Sequence, residues 1–326
     1  MVLAVILFAV GLVLLIKGGD WFVDGATGIA HRFHVPEILI GATVVSIGTT
    51  LPEVMVSATS AVSGHGEIAY GNAIGSIICN TALIAAIVIA VRPSDVDRKA
   101  LRTPVIFFFC AAALYLIAAY VFGSFSRVIG IILLAMFVCY MALTVRQALA
   151  SPKQPERPDE EPAEEPEQAR PLWKDLLLLV IGAALIAVGA NLLVDNGTII
   201  ASSLGVPESV IALTFVALGT SLPELVTAIT SLIKGHGALS LGNIVGANLF
   251  NLVLVSGVSV TLSPFAVPAS KLIGGMNASL VLDIPVMLCV MLLLTVPALV
   301  GGKLKRWQGV TLLVIYAAFC AVQFLV

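Results

Sequence analysis

The chain has 326 residues, 59% of them hydrophobic and 11% charged, with a mean hydropathy of +1.08. That balance is too apolar for an ordinary soluble domain. A formal net charge of −2 with no basic patch argues against a nucleic-acid partner and leaves the lipid bilayer as the surroundings.

Runs long enough to cross about 30 Å of hydrocarbon, at roughly 20 residues each, predict an all-α polytopic protein. Its ten transmembrane helices fall near 2–22, 37–63, 67–91, 103–123, 128–149, 172–193, 208–234, 238–262, 279–299 and 307–325. The first lacks a positive leading region and is followed by Lys17, so it reads as a retained helix and not a cleaved signal.

In the second helix, Pro52 removes an interior amide and its ring crowds the carbonyl of Gly48. The run Gly48-Thr49-Thr50-Leu51-Pro52-Glu53 therefore predicts a break. Glu53 lies in an otherwise apolar stretch, where an ionisable group costs about 3 kcal/mol or more, so it marks an ion or substrate path. Thr50-x-x-Glu53 also has capping-box spacing, the plainer reading of the same residues.

A Gly64-His65-Gly66 turn leads into the third helix, where Asn72, Ser76 and Asn80 recur every four residues on one face. Asn80 reads as a ligand; Asn72 reads equally as a ligand or as a helix-packing group beside Gly71 and Gly75. Cys79, Cys110, Cys139, Cys289 and Cys320 all fall inside predicted helices without CxxC spacing and read as packing residues. From Ser151 to Pro171 the chain is rich in proline and glutamate, a cytoplasmic linker read as a solvated tether in preference to a regulatory calcium site.

The seventh helix repeats the motif as Gly219-Thr220-Ser221-Leu222-Pro223-Glu224, with a second expected break, and the eighth carries Asn243, Ala247 and Asn251. Asp283, ahead of Pro285, reads as an interfacial or helix-end group, and Asp24 and Asp195 as helix-end residues. His65 and His236 read as polar turn residues.

One offset, 171, relates Glu53 to Glu224, Asp24 to Asp195, Pro36-Glu37 to Pro207-Glu208, Thr43 to Thr214, Asn72 to Asn243 and Asn80 to Asn251, with no gap. This is an internal duplication. Residues 1–150 form the first five-helix repeat and 172–326 the second, joined by the linker 151–171. Five is odd, so the copies are inverted, with broken helices 2 and 7 meeting at the midplane. Alternating sides places 15 of the 17 Lys and Arg on one face and leaves Arg127 and Lys271 on the other. The first face is therefore cytoplasmic and both termini lie outside an integral protein of the cell membrane.

The polar residues at the breaks suit a hard cation. Glu53 and Glu224 offer carboxylates, Thr49, Thr50, Thr220 and Ser221 hydroxyls, and Ser46 and Ala217 freed carbonyls. Calcium takes about six to eight oxygens, and two carboxylates match its charge; sodium uses carbonyl and hydroxyl oxygens.

Two copies of G-T-[TS]-L-P-E, each followed by G-N-x-x-G-[SA]-x-x-x-N in an inverted five-plus-five layout, resemble the calcium/cation antiporter superfamily, closest to the prokaryotic sodium/calcium exchangers. The resemblance implies that Glu53 and Glu224 bind calcium and sodium, with Ser46, Thr49, Thr50, Ala217, Thr220, Ser221, Ser76 and Asn80 around them. It also implies countertransport, typically three sodium ions for one calcium, without a cofactor. Ala247 and Asn251 depart from the family's Ser and Asp. Asn251 stays in the expected ligand shell and argues against potassium cotransport, where that position is Asp.

The chain is thus expected to be a secondary antiporter and not an enzyme, exchanging sodium for calcium by alternating access while the first and sixth helices move against the rest. A proton/calcium exchanger of the same superfamily is the alternative, and a passive channel a more distant one. An intramembrane metalloprotease would need clustered ligands such as H-E-x-x-H, and His31, His34, His65 and His236 lack that spacing.

Overall fold

The computed structural model describes residues 2–150, 171–204, 219–269 and 271–325. Among the described residues the longer helical stretches are α1 (Val2–Phe33), α2 (Glu37–Val62), α3 (Gly66–Val91), α4 (Arg98–Phe122), α5 (Arg127–Ala150), α6 (Leu172–Ser203), α7 (Leu222–Ile233), α8 (Gly237–Leu262), α9 (Ser279–Gly301) and α10 (Arg306–Leu325). Eight are long and apolar enough to cross a membrane. The other two are α7, with 12 residues, and α10, which opens on Arg306, Trp307 and Gln308. The expected seventh span 208–234 lies partly outside the described residues, and so does the linker 151–171, of which only Pro171 is described.

Large apolar side chains such as Val2, Val121 and Ile233 stand at least 70% exposed, an outer surface that suits lipid. The helices differ in depth: 83% of the apolar window of α8 is buried, against 22% for α6. Around α8 lies a core containing Phe108, Tyr115, Phe125, Tyr140, Phe250 and Met287. All five cysteines are free, but Cys110, Cys139 and Cys289 are exposed. The expected packing role therefore fits Cys79, the buried one, and not these three.

Helices α1 and α6 pack lengthwise through glycines. A Cβ at Gly18 would lie 2.8 Å from the Ile186 backbone nitrogen, and one at Gly182 would lie 2.5 Å from that of Phe22. Both helices run some ten residues beyond their expected ends at 22 and 193. Asp24 and Asp195 are therefore interior to α1 and α6 instead of fixing their ends. Asp24 serves as an ion-pair partner: Lys234 Nζ approaches its Oδ1 at 2.7 Å and Asp20 Oδ1 at 3.6 Å.

Three two-residue strand pairs staple the loops. β1 (Ser94–Asp95) pairs with β6 (Lys303–Leu304), β2 (Ser124–Phe125) with β3 (Phe265–Ala266), and β4 (Leu272–Ile273) with β5 (Met276–Asn277). The first pair joins the loop after α3 to the loop after α9, and the second joins the loop after α4 to the loop after α8. These two pairs join loops far apart in sequence, and the third is a hairpin within the loop after α8. The turns at Gly64 (φ 83°) and Gly235 (φ 84°), 171 residues apart, share a left-handed conformation that glycine adopts without strain.

Candidate functional site

The two copies of the motif fold differently. In α2 the backbone widens into a π-helical turn at Gly41–Val45 and then continues as an α-helix, Ser46–Val62, through Pro52. The break expected at Pro52 does not occur. The π turn upstream of the proline takes up the irregularity, and Gly48 instead makes room for the Phe22 ring, 3.0 Å from where its Cβ would lie. In the second copy Thr220 and Ser221 form a turn and α7 starts at Leu222. Pro223 then lies in the first turn, where its missing amide costs no hydrogen bond.

Neither copy is a capping box. Thr50 is interior to its helix, and Ser221, though it precedes α7, makes no side-chain cap. The hydroxyls of both are buried without a partner, as are both carboxylate oxygens of Glu53 and of Glu224. Glu53 and Glu224 are fully buried and lie within range of each other's charge.

Helices α3 and α8 close the site, each with a π-helical turn opening on an asparagine, Asn80–Ala85 and Asn251–Val255, again 171 residues apart. Such turns are often found at functional sites. The amides of Asn80 and Asn251 are fully buried, and neither end of either has a partner. Ser76 is buried on the same stretch of α3. Ala217 lies outside the described residues.

Both amide ends of Asn72 and of Asn243 have hydrogen-bond partners, which favours the packing reading for them, with an added consequence. Asn72 Nδ2 donates to Ser57 Oγ at 2.8 Å and to the Glu53 carbonyl at 3.2 Å, while its Oδ1 accepts from Thr220 Oγ1 at 3.3 Å. Asn243 Nδ2 donates to Thr227 Oγ1 at 2.9 Å, and its Oδ1 accepts from Thr49 Oγ1 at 3.2 Å and Ser46 Oγ at 3.3 Å. Each asparagine takes the hydroxyl proton of the other copy's motif threonine; the pairs Asn72–Thr220 and Asn243–Thr49 are related by the 171 offset. A hydroxyl whose proton is committed elsewhere turns its lone pairs to what remains. Beside them, Gly242 and Gly246 bring α8 against the Ile38 and Ala42 backbone of α2.

Among the described residues, fifteen buried side-chain nitrogen and oxygen atoms lack a hydrogen-bond partner. Ten belong to Thr50, Glu53, Asn80, Ser221, Glu224 and Asn251. Buried polar atoms are nearly always satisfied, so this concentration marks a place built for something else. No group of three or more His, Cys, Asp or Glu comes together among the described residues. Two carboxylates among neutral oxygens form a donor set for a hard cation instead of zinc.

Asn248 escaped the sequence reading. It is fully buried on α8 with its Oδ1 unpartnered, and its counterpart at the 171 offset is Ile77, so repeat matching passes over it. Asp283 lies near the start of α9 and accepts from Gln323 Nε2 at 2.7 Å, in keeping with a helix-end group. His236 is more than a turn residue: its Nδ1 meets Glu37 Oε1 at 2.8 Å, and that hydrogen bond raises the imidazole pKa above its usual value.

The sodium/calcium exchanger protein family matches residues 3–146 and 174–325. The sodium/calcium exchanger MaX1 of Methanosarcina acetivorans is 31% identical over 98% of this chain and 98% of its own length. The putative antiporter CaxA of Alkalimonas amylolytica is 35% identical over 100% and 99%. A solved structure of the sodium-calcium exchanger NCX_Mj, soaked with 10 mM Na+ and zero Ca2+, superimposes with a TM-score of 0.82 at 32% identity, covering 98% of each chain.

Proposed function

The chain belongs to the sodium/calcium exchanger protein family, and from that premise we propose that it exchanges sodium for calcium by alternating access at a midplane site built on Glu53 and Glu224. The observation that carries this is the set of orphaned buried atoms at Thr50, Glu53, Asn80, Ser221, Glu224 and Asn251. Thr49 and Thr220, oriented by Asn243 and Asn72, add oxygens at its edge, as does Ser46. Ser76 completes the set, and Ala217 joins it by repeat register alone.

Two buried carboxylates with no donor are costly unless a cation neutralises them. A calcium ion matches both charges, and sodium ions compete for the same oxygens. A site emptied of ions would carry that cost through the turnover between faces, so the loaded forms cross and the empty form does not. That coupling makes transport an exchange.

The architecture behind the reading is ten helices in two inverted repeats, 1–150 and 172–326, tied by the acidic linker 151–171. The reciprocal Asn72–Thr220 and Asn243–Thr49 bonds, the matched π turns and the loop-to-loop strand pairs support it. The charge split supports a cell-membrane protein with its termini outside and the linker in the cytoplasm.

Calcium uptake into proteoliposomes under separately imposed sodium, potassium and proton gradients tests the proposal. Uptake driven by an outward sodium gradient is expected. Uptake that follows only the pH gradient would replace it with proton/calcium exchange, and flux without any counter-ion would make the protein a channel.

A further inference from the structure

Resting on the sodium/calcium reading, we propose that Asn248 is an additional sodium ligand, present in one half of the molecule. Its side-chain amide is oriented by a small network. Thr81 Oγ1 donates to Met291 Sδ at 3.3 Å, which leaves the hydroxyl's lone pairs free. Asn248 Nδ2 donates to that Thr81 oxygen at 2.7 Å and to Met291 Sδ at 3.2 Å. A thioether accepts and never donates, so the amide edge facing it must be the NH2 group. Both of its protons are then used, and Oδ1 is turned away as a pure acceptor.

That oxygen is fully buried and receives no hydrogen bond. An unfilled carbonyl oxygen at this depth costs free energy unless water or a cation meets it. Its place in the fold favours a cation. Thr81 directly follows Asn80, and Asn251 lies about one helical turn along α8 from Asn248. Both of these asparagines have unfilled amide oxygens of their own at the head of a π turn.

The ligand chemistry is monovalent. A neutral amide oxygen adds dipole without charge, which suits sodium; the divalent ion is held by the two glutamates. The asymmetry also has an occasion. Ala247 lacks the hydroxyl that its counterpart Ser76 carries, and the next residue, Asn248, supplies an oxygen where the first copy has Ile77.

The test uses the full-length protein in proteoliposomes, measuring the sodium and calcium concentrations for half-maximal exchange in wild type, Asn248→Ala and Asn248→Asp. Asn248→Ala is expected to raise half-saturating sodium about tenfold and to lower sodium cooperativity, with calcium changed by less than about twofold. Asn248→Asp keeps an oxygen and is expected to hold half-saturating sodium at or below the wild-type value. Unchanged sodium dependence in Asn248→Ala, as when a buried water alone fills the place, overturns the proposal. A parallel shift in sodium and calcium does the same by pointing to a packing role. If Asn248→Ala fails to insert, a tenfold weaker sodium response in Asn248→Asp overturns it. Wild-type vesicles that ignore sodium defeat the parent reading as well, whereas a responsive wild type with an unmoved variant defeats this one alone.

Discussion

Replacing Asn243 with leucine, which is close in volume, separates orientation of a ligand from the ligand itself. Three side-chain bonds are lost, and they are not equal. Ser46 keeps the Gly41 carbonyl at 2.7 Å and the Asn243 carbonyl at 3.0 Å, so its 3.3 Å bond to the amide is redundant. Thr227 keeps acceptors for its proton in the carbonyls of Pro223 and Glu224, at 2.9 and 3.0 Å. Thr49 is left with a long contact to the Ser46 carbonyl at 3.4 Å and loses the bond that fixes its proton. The loss therefore reduces to about one hydrogen bond, roughly 1 kcal/mol, or about a fivefold change in ion affinity. Calcium titration calorimetry of the purified Asn243→Leu protein should show half-saturation raised by that factor with insertion unaltered. Unchanged calcium affinity would refute the claim that Asn243 sets the Thr49 oxygen, and abolished binding would place Asn243 among the ligands.

Glu53→Gln and Glu224→Gln should each abolish calcium transport while leaving insertion intact. In ion-free buffer each should melt higher than wild type, because a buried unpaired charge is gone; a lower melting temperature would show that the carboxylates are already satisfied. The His236–Glu37 contact raises the histidine pKa, so its stabilisation is complete below about pH 6.5 and fades as pH climbs through the raised value. His236→Ala should flatten the pH dependence of thermal stability above that point, and an unaltered profile would remove the contact from consideration. Deleting 152–170 should leave exchange rates in proteoliposomes near wild type; loss of exchange in a correctly inserted deletion would overturn the tether reading.

The buried, unpartnered glutamates and asparagines of the candidate site stood out in the sequence because burial of polar groups in apolar helices is costly and the duplication repeats each of them. Backbone detail was not. Proline predicts a break wherever it is interior, yet α2 runs through Pro52, since the relief lies in a π turn that leaves no trace in hydrophobic periodicity. The overrun of α1 and α6 past their apolar stretches was hidden by Asp24 and Asp195, which resemble helix ends until Lys234 is brought to Asp24 by the fold. Asn248 went unseen because its partner in the repeat is Ile77, and comparison of copies finds what they share.

The strand staples have a mechanical consequence. By fastening the loops around α3, α4, α8 and α9 to one another, they tie those helices into one chassis. Neither α1 nor α6 enters a staple. Their glycine seam binds them to each other, and the mostly buried Lys234 couples α1 to the turn after α7. In the proposed alternating-access cycle, a paired slab held this way would be the sash and the stapled helices its window frame.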